Sequence, residues 1–121
     1  MLYNGHLTGD AENIPQHRYE VYEVTAYTAG YESTGKRPSH PAYGITASGT
    51  TVKEGRTIAC PKSLEYGTRI RIPYFGRTFT CEDRGAAITD GRLDVYIANV
   101  NEALTFGRRE LPIIILEEET E

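Results

Sequence analysis

Tryptophan is absent from this chain, methionine occurs once and cysteine twice. Two cysteines allow a single intramolecular pairing. With no Cys-x-x-Cys or His-x-His spacing beside them they fall short of the four ligands of a structural zinc site. Positive charge is also scarce. Thirteen Lys and Arg against 17 Asp and Glu leave a formal charge of −4, which argues against nucleic acid as a partner because phosphate binding needs a positive face. No segment approaches the ~20 apolar residues of a membrane span. The longest apolar stretch, Leu111 to Leu116, is of strand length and contains Pro112. Met1 to Pro15 is polar and shows neither the basic start nor the apolar stretch of a secretory leader.

What is present suits one small folded domain. The 121 residues are 39% hydrophobic and 25% charged, enough to bury a core but too few for a separate cofactor domain. Residues 1–18 are polar and aperiodic and read as an N-terminal arm or linker; residues 19–117 form the domain and 118–121 an acidic tail. Tyr19 to Thr28 is β-branched and aromatic, a strand with both faces partly covered. Ala29 to Gly44, rich in Gly, Ser, Pro and Tyr, is a long loop of the kind that usually carries function. Short strands are expected at Ile45–Thr51 and Arg56–Cys60, and a helical turn at Lys62–Tyr66 with Pro61 at its start. Ile70 and Ile72 alternate with Arg69 and Arg71 in a half-buried strand. Further strands fall at Arg77–Glu82, Leu93–Ile97 and 110–116. Asn99 caps a helix that ends at Gly107. Many short strands and one short helix make a mainly β chain, a small closed barrel.

The chemistry concentrates between Cys81 and Tyr96. Asp83 and Asp94 stand at the two ends of a Gly/Ala-rich turn between strand-like segments. Neighbouring strand ends can bring two carboxyls together as acid/base chemistry on a glycosidic bond requires, and small residues let a sugar polymer approach the backbone. A hairpin with one capping and one surface aspartate satisfies the same spacing. Thr46 and Ser48 offer hydroxyls to sugar groups or serve their own turn. No histidine motif ties a base to Ser48, and His6, His17 and His40 fall in arm or loop segments where exposure is the default. Tyr27, Tyr31 and Tyr43, in or beside the long loop, are candidates for sugar stacking. Arg84 and Arg92 pair with the aspartates, with substrate carboxylates, or with water alone. Cys60 and Cys81 both end strands; either a disulfide staples the site or two buried thiols fill small apolar spaces.

In order along the chain stand Thr25-Ala26-Tyr27, Thr46-Ala47-Ser48-Gly49, Gly55-Arg56-Thr57-Ile58-Ala59, Gly67-Thr68, Ile70-Arg71-Ile72-Pro73, Glu82-Asp83-Arg84-Gly85, Ala87-Ile88 and Arg92-Leu93-Asp94-Val95-Tyr96. Together these blocks resemble the 3D (three-aspartate) domain, related to the MltA-type lytic transglycosylases of bacterial cell walls, over roughly residues 20–116. The resemblance implies a six-stranded double-psi β-barrel that binds peptidoglycan glycan strands. It also implies cofactor-free cleavage of the bond between N-acetylmuramic acid and N-acetylglucosamine to a 1,6-anhydro product. Asp94 matches the single acid/base of those enzymes, with Asp83 orienting it or the substrate, or serving as the second carboxylate of a hydrolase. Burial between Leu93 and Val95 would raise the Asp94 pKa. Thr46, Ser48, Gly85, Arg92 and Tyr27 are the expected substrate contacts. Three departures stand out: Cys60 replaces the family's first aspartate before Pro61, Ala86 replaces the second glycine of a pair, and Thr89 a lysine. The expected place of action is the cell wall, reached by phage delivery or by another export route. The rival expectation is a non-catalytic glycan-binding or structural module of a phage tail or cell wall.

Overall fold

The protein is described by a computed structural model covering residues 17–117; most of the arm, with His6, and the whole acidic tail lie outside the described residues. Strands β1 (Arg18–Tyr27), β2 (Thr57–Ala59), β3 (Arg69–Ile72), β4 (Arg77–Asp83), β5 (Arg92–Tyr96) and β6 (Arg109–Leu116) are joined by loops and two short helices, α1 (Tyr31–Thr34) and α2 (Val100–Phe106). The six strands close into a barrel in the order β1-β5-β2-β4-β3-β6, which leaves no unpaired edge. Two pairs, β1–β5 and β2–β4, are parallel; the other four are antiparallel. Moving every strand three places along the chain reproduces the same neighbours with the same sense. The barrel therefore has a pseudo-twofold axis relating its two parallel pairs, the connectivity of a double-psi barrel.

Alternation along the strands fills the interior. In β3, Ile70 and Ile72 are buried and Arg69 and Arg71 exposed; in β6, Leu111, Ile113 and Ile115 point inward. With Val24, Ile58, Phe79, Leu93 and Val95 they form one continuous apolar core, the main source of stability in a domain of this size. Residues of opposite parity therefore face outward, and Asp94, between the buried Leu93 and Val95, is one of them.

Several local expectations change. Ile45–Thr51 is not a strand; one antiparallel bridge between its end residues closes a loop, too short to add a ladder to a barrel already closed. Lys62–Tyr66 makes turns without a helix. The long loop carries the extra helix α1, held by the Thr28 hydroxyl on the Glu32 carboxylate and ended by Gly35 at φ 74°, a conformation that favours glycine. The first half of β1 is open rather than covered, with Tyr19 and Val21 exposed. α2 forms as expected, the Asn99 side chain accepting from Glu102 N at 2.9 Å. Cys60 and Cys81 are joined in a disulfide with Cα atoms 5.6 Å apart, which resolves the two alternatives for the thiols.

Candidate active site

A β-bulge positions the aspartates. In the parallel pairing of β2 with β4, Ile58 lies opposite Cys81, yet Ala59 lies opposite Asp83, one residue further than regular pairing would give. The extra residue, Glu82, drops out of the ladder, and Asp83 takes the face that Glu82 would otherwise hold. Ala59 is also the antiparallel partner of Asp94, and Asp94 in turn lies opposite Thr25 on β1. Directly opposed residues share a sheet face, so Thr25, Asp94, Ala59 and Asp83 form a row across four adjacent strands outside the barrel. With strands ~4.8 Å apart, the two aspartate backbones are about 10 Å apart, separated only by an alanine methyl.

The displaced Glu82 is itself buried. It accepts from the Thr57 hydroxyl at 2.7 Å and the Thr50 hydroxyl at 3.3 Å. Arg56 Nε lies 2.9 Å away as an ion pair, though its N–H points off that line and makes no hydrogen bond. Glu82 thus ties the 46–51 loop to the barrel beside the aspartates.

The two aspartates differ in their partners. Asp83 Oδ1 accepts from Ala47 N at 2.8 Å and Arg84 N at 2.9 Å, and Oδ2 from the Tyr27 hydroxyl at 2.8 Å. Burial and the adjacent Asp83 charge push the Tyr27 hydroxyl far above its ordinary pKa, so it serves as a fixed donor. Asp94 Oδ1 accepts from the Thr25 hydroxyl at 2.9 Å, while Oδ2 has no partner among the described residues. Burial raises the Asp94 pKa above the ordinary 3.8; the Thr25 hydrogen bond offsets part of that, and the Asp83 charge adds to it.

Both carboxyls line one cleft of about 420 Å³, with Tyr27, Ala59 and Gly85 beside them. Ser33, Thr34, Lys36 and Ala42 supply another wall, so the long loop does shape the site. Thr46 lines the cleft, but its hydroxyl is taken by Thr50 Oγ1 at 2.7 Å, Ser48 Oγ at 3.1 Å and Thr50 N at 3.0 Å. Ser48 is exposed and is not among the lining residues. A Cβ on Gly85 would come within 3.2 Å of Ile88 Cγ1, so glycine suits this packing. Arg92 reaches neither aspartate; it donates to Glu23 Oε1 at 2.8 Å and to the Ala87 carbonyl at 3.1 Å, bracing the 84–91 turn against β1. Arg84 donates to the carbonyls of Cys60 and Leu64 at 3.2 and 2.7 Å. Tyr31 lies under the Arg37 guanidinium, 4.5 Å from it, and neither Tyr31 nor Tyr43 lines the cleft.

Thr25, Ala59, Ala47 and Lys36 join the site beyond the residues expected from sequence. Thr25 had a signal: in a strand it shares a face with Tyr27. Among the described residues no group of three or more His, Cys, Asp or Glu side chains is placed to hold a metal. No protein-family model matches this chain, and no curated protein matches it.

The raised Asp94 pKa has a consequence for stability. A carboxyl that ionises less readily folded than unfolded leaves the native state holding more protons just above 3.8, so its stability falls as the pH rises through the folded pKa. Asp94→Asn removes that penalty and keeps an acceptor for Thr25. The variant is expected to melt above the wild type at neutral pH, the gain fading on acidification and vanishing below 3.8. Thermal melts from acid to neutral pH check this; a difference independent of pH would contradict it.

Proposed function

We propose that this protein is a lytic transglycosylase of peptidoglycan, acting at the bacterial cell wall, with Asp94 as its only proton shuttle. The observation that carries this reading is the Asp94 carboxyl itself: it lines the cleft, one oxygen held by Thr25 and the other without a partner among the described residues, with burial favouring its protonated form. Protonated Asp94 gives its proton to the oxygen linking N-acetylmuramic acid to N-acetylglucosamine, and the C1–O bond breaks with the electron pair leaving on that oxygen. The resulting oxocarbenium-like muramyl residue is attacked at C1 by its own 6-hydroxyl, whose proton returns to Asp94. The product is a 1,6-anhydro end; water is not consumed and the acid is regenerated.

Asp83 supports this choice over a hydrolase. A hydrolase needs a second carboxylate free to act as base or nucleophile, whereas Asp83 already accepts from Tyr27, Ala47 and Arg84. Its role in the proposal is to hold Tyr27 and the 46–51 loop in place and, by its charge, to keep the proton on Asp94.

One observation favours a second reading, a glycan-binding or structural module of a phage tail or cell wall. The position where the resembled family carries its first aspartate is Cys60, buried and closed in a disulfide, so that carboxylate is not available. The pH dependence of muropeptide release from purified peptidoglycan separates the two. The enzyme reading predicts turnover that declines as the pH rises through a value above the ordinary carboxylate 3.8, because only protonated Asp94 can donate. A binding module releases nothing at any pH.

A further inference from the structure

A cleft larger than the one that holds the aspartates lies next to it. It has a volume of about 720 Å³, within the ~300–1,000 Å³ range of ligand pockets. Pro61, Lys62 and Ser63 form one wall and the turn from Arg84 to Asp90 the other. Arg84, Gly85 and Ile88 line both this cleft and that of Asp83 and Asp94, so a ligand can run from one into the other. The disulfide sets the spacing of the walls. Cys60 immediately precedes Pro61, and Cys81 on β4 lies three residues before Arg84.

The charges of this second cleft run against those of the chain. Overall the protein carries −4, but here two cations, Lys62 and Arg84, face a single carboxylate, Asp90. Asp90 is engaged, its Oδ1 accepting from Ser63 Oγ at 2.7 Å. Arg84 is held rigidly by two carbonyls and lies 4.2 Å above the Tyr66 ring, a fixed positive charge with further N–H groups to offer. The Lys62 ammonium has no partner among the described residues. Resting on the glycan-cleaving reading above, we propose that this cleft binds a carboxylate of the acidic peptide stem carried by the muramic acid residue, through Lys62 and Arg84. The stem branches from the very sugar whose C1 reacts, which matches a cleft opening directly off the catalytic one. Charge-assisted recognition here fixes which sugar lies beside Asp94.

The probes are N-acetylmuramoyl-L-alanyl-D-glutamate, which bears the stem carboxylates and has no internal glycosidic bond to cleave, and its diamide. Titrated into the wild-type protein with amide chemical shifts followed by NMR, the acid is expected to perturb Lys62, Arg84 and Ala86 and to bind ~10–100-fold more tightly than the diamide, as loss of a charged partner implies. Lys62→Glu is expected to bring the acid down to the affinity of the diamide, with Lys62→Gln between them; Lys62 is exposed, and unchanged circular dichroism verifies the fold. Equal binding of acid and diamide, an unchanged preference in Lys62→Glu, or no binding of either probe overturns the proposal. None of these readouts depends on catalysis. Glycan cleavage without acid-selective binding therefore leaves the transglycosylase reading standing alone, and acid-selective binding without cleavage leaves only the carboxylate site.

Discussion

Asp94→Asn is expected to lose peptidoglycan cleavage while keeping its fold. Asparagine is nearly isosteric with aspartate and still accepts from Thr25, so the row Thr25–Asp94–Ala59–Asp83 is preserved. The amide cannot release and recover a proton. General acid–base catalysis is worth ~10²–10⁴-fold, and removal of the only shuttle belongs in the upper part of that range. Asp83→Asn has a different signature. Its amide oxygen can still accept from the Ala47 and Arg84 N–H groups, but its N–H₂ then faces the Tyr27 hydroxyl, costing about 1–3 kcal/mol of stability for the donor left unmatched. Its loss of activity is expected to be smaller than that of Asp94→Asn. Initial rates of muropeptide release for both variants, with melting curves alongside, measure this; equal losses would make Asp83 a second catalytic carboxylate.

Opening the disulfide is expected to give the largest change in stability. Cys60 and Cys81 are separated by 21 residues, and closing a loop of that length removes unfolded-state entropy worth about 3 kcal/mol. For a domain of this size that corresponds to a melting temperature lower by roughly 10–25 °C. Both sulfurs are buried, so Cys60→Ala/Cys81→Ala is a cleaner probe than a reductant, which reaches them only on unfolding. The bridge also ties the end of β2 to β4 one residue from Ala59 and two from Asp83, so activity should fall with stability. Urea unfolding of the double variant gives the free energy directly, and a loss well under 1 kcal/mol would contradict this account.

The barrel was legible because its strands obey alternation: Ile70 and Ile72 against Arg69 and Arg71, or Leu111, Ile113 and Ile115 in β6. The Asn99 cap and Gly107 stop made α2 equally plain. The 45–51 segment was not, because its β-branched residues suit a strand while local hydrogen bonds to the Thr46 hydroxyl, and the Thr50 hydroxyl on buried Glu82 32 residues further along, hold it as a loop. α1 was hidden for a similar reason, since a four-residue helix has no periodicity to read and forms around the Thr28–Glu32 contact. At the site, the expectation of two carboxyls at one groove rested on the turn between them, yet the device that aligns them is the bulge at Glu82. Bulges follow from pairing with a partner strand, and strand pairing cannot be seen in local composition. Arg92 shows the same limit: it lies on the same face of β5 as Asp94, but its partners, Glu23 on the neighbouring strand and the Ala87 carbonyl, are fixed by strand pairing and by the turn.

Cleavage by one carboxyl without water leaves its mark in the mass of the product. Wild-type protein incubated with purified peptidoglycan should release fragments ending in 1,6-anhydro-N-acetylmuramic acid, lighter by one water than hydrolytic products and resistant to borohydride reduction. Fragments with reducible ends would assign a hydrolase, and peptidoglycans from several bacteria left intact would contradict the enzymatic account altogether.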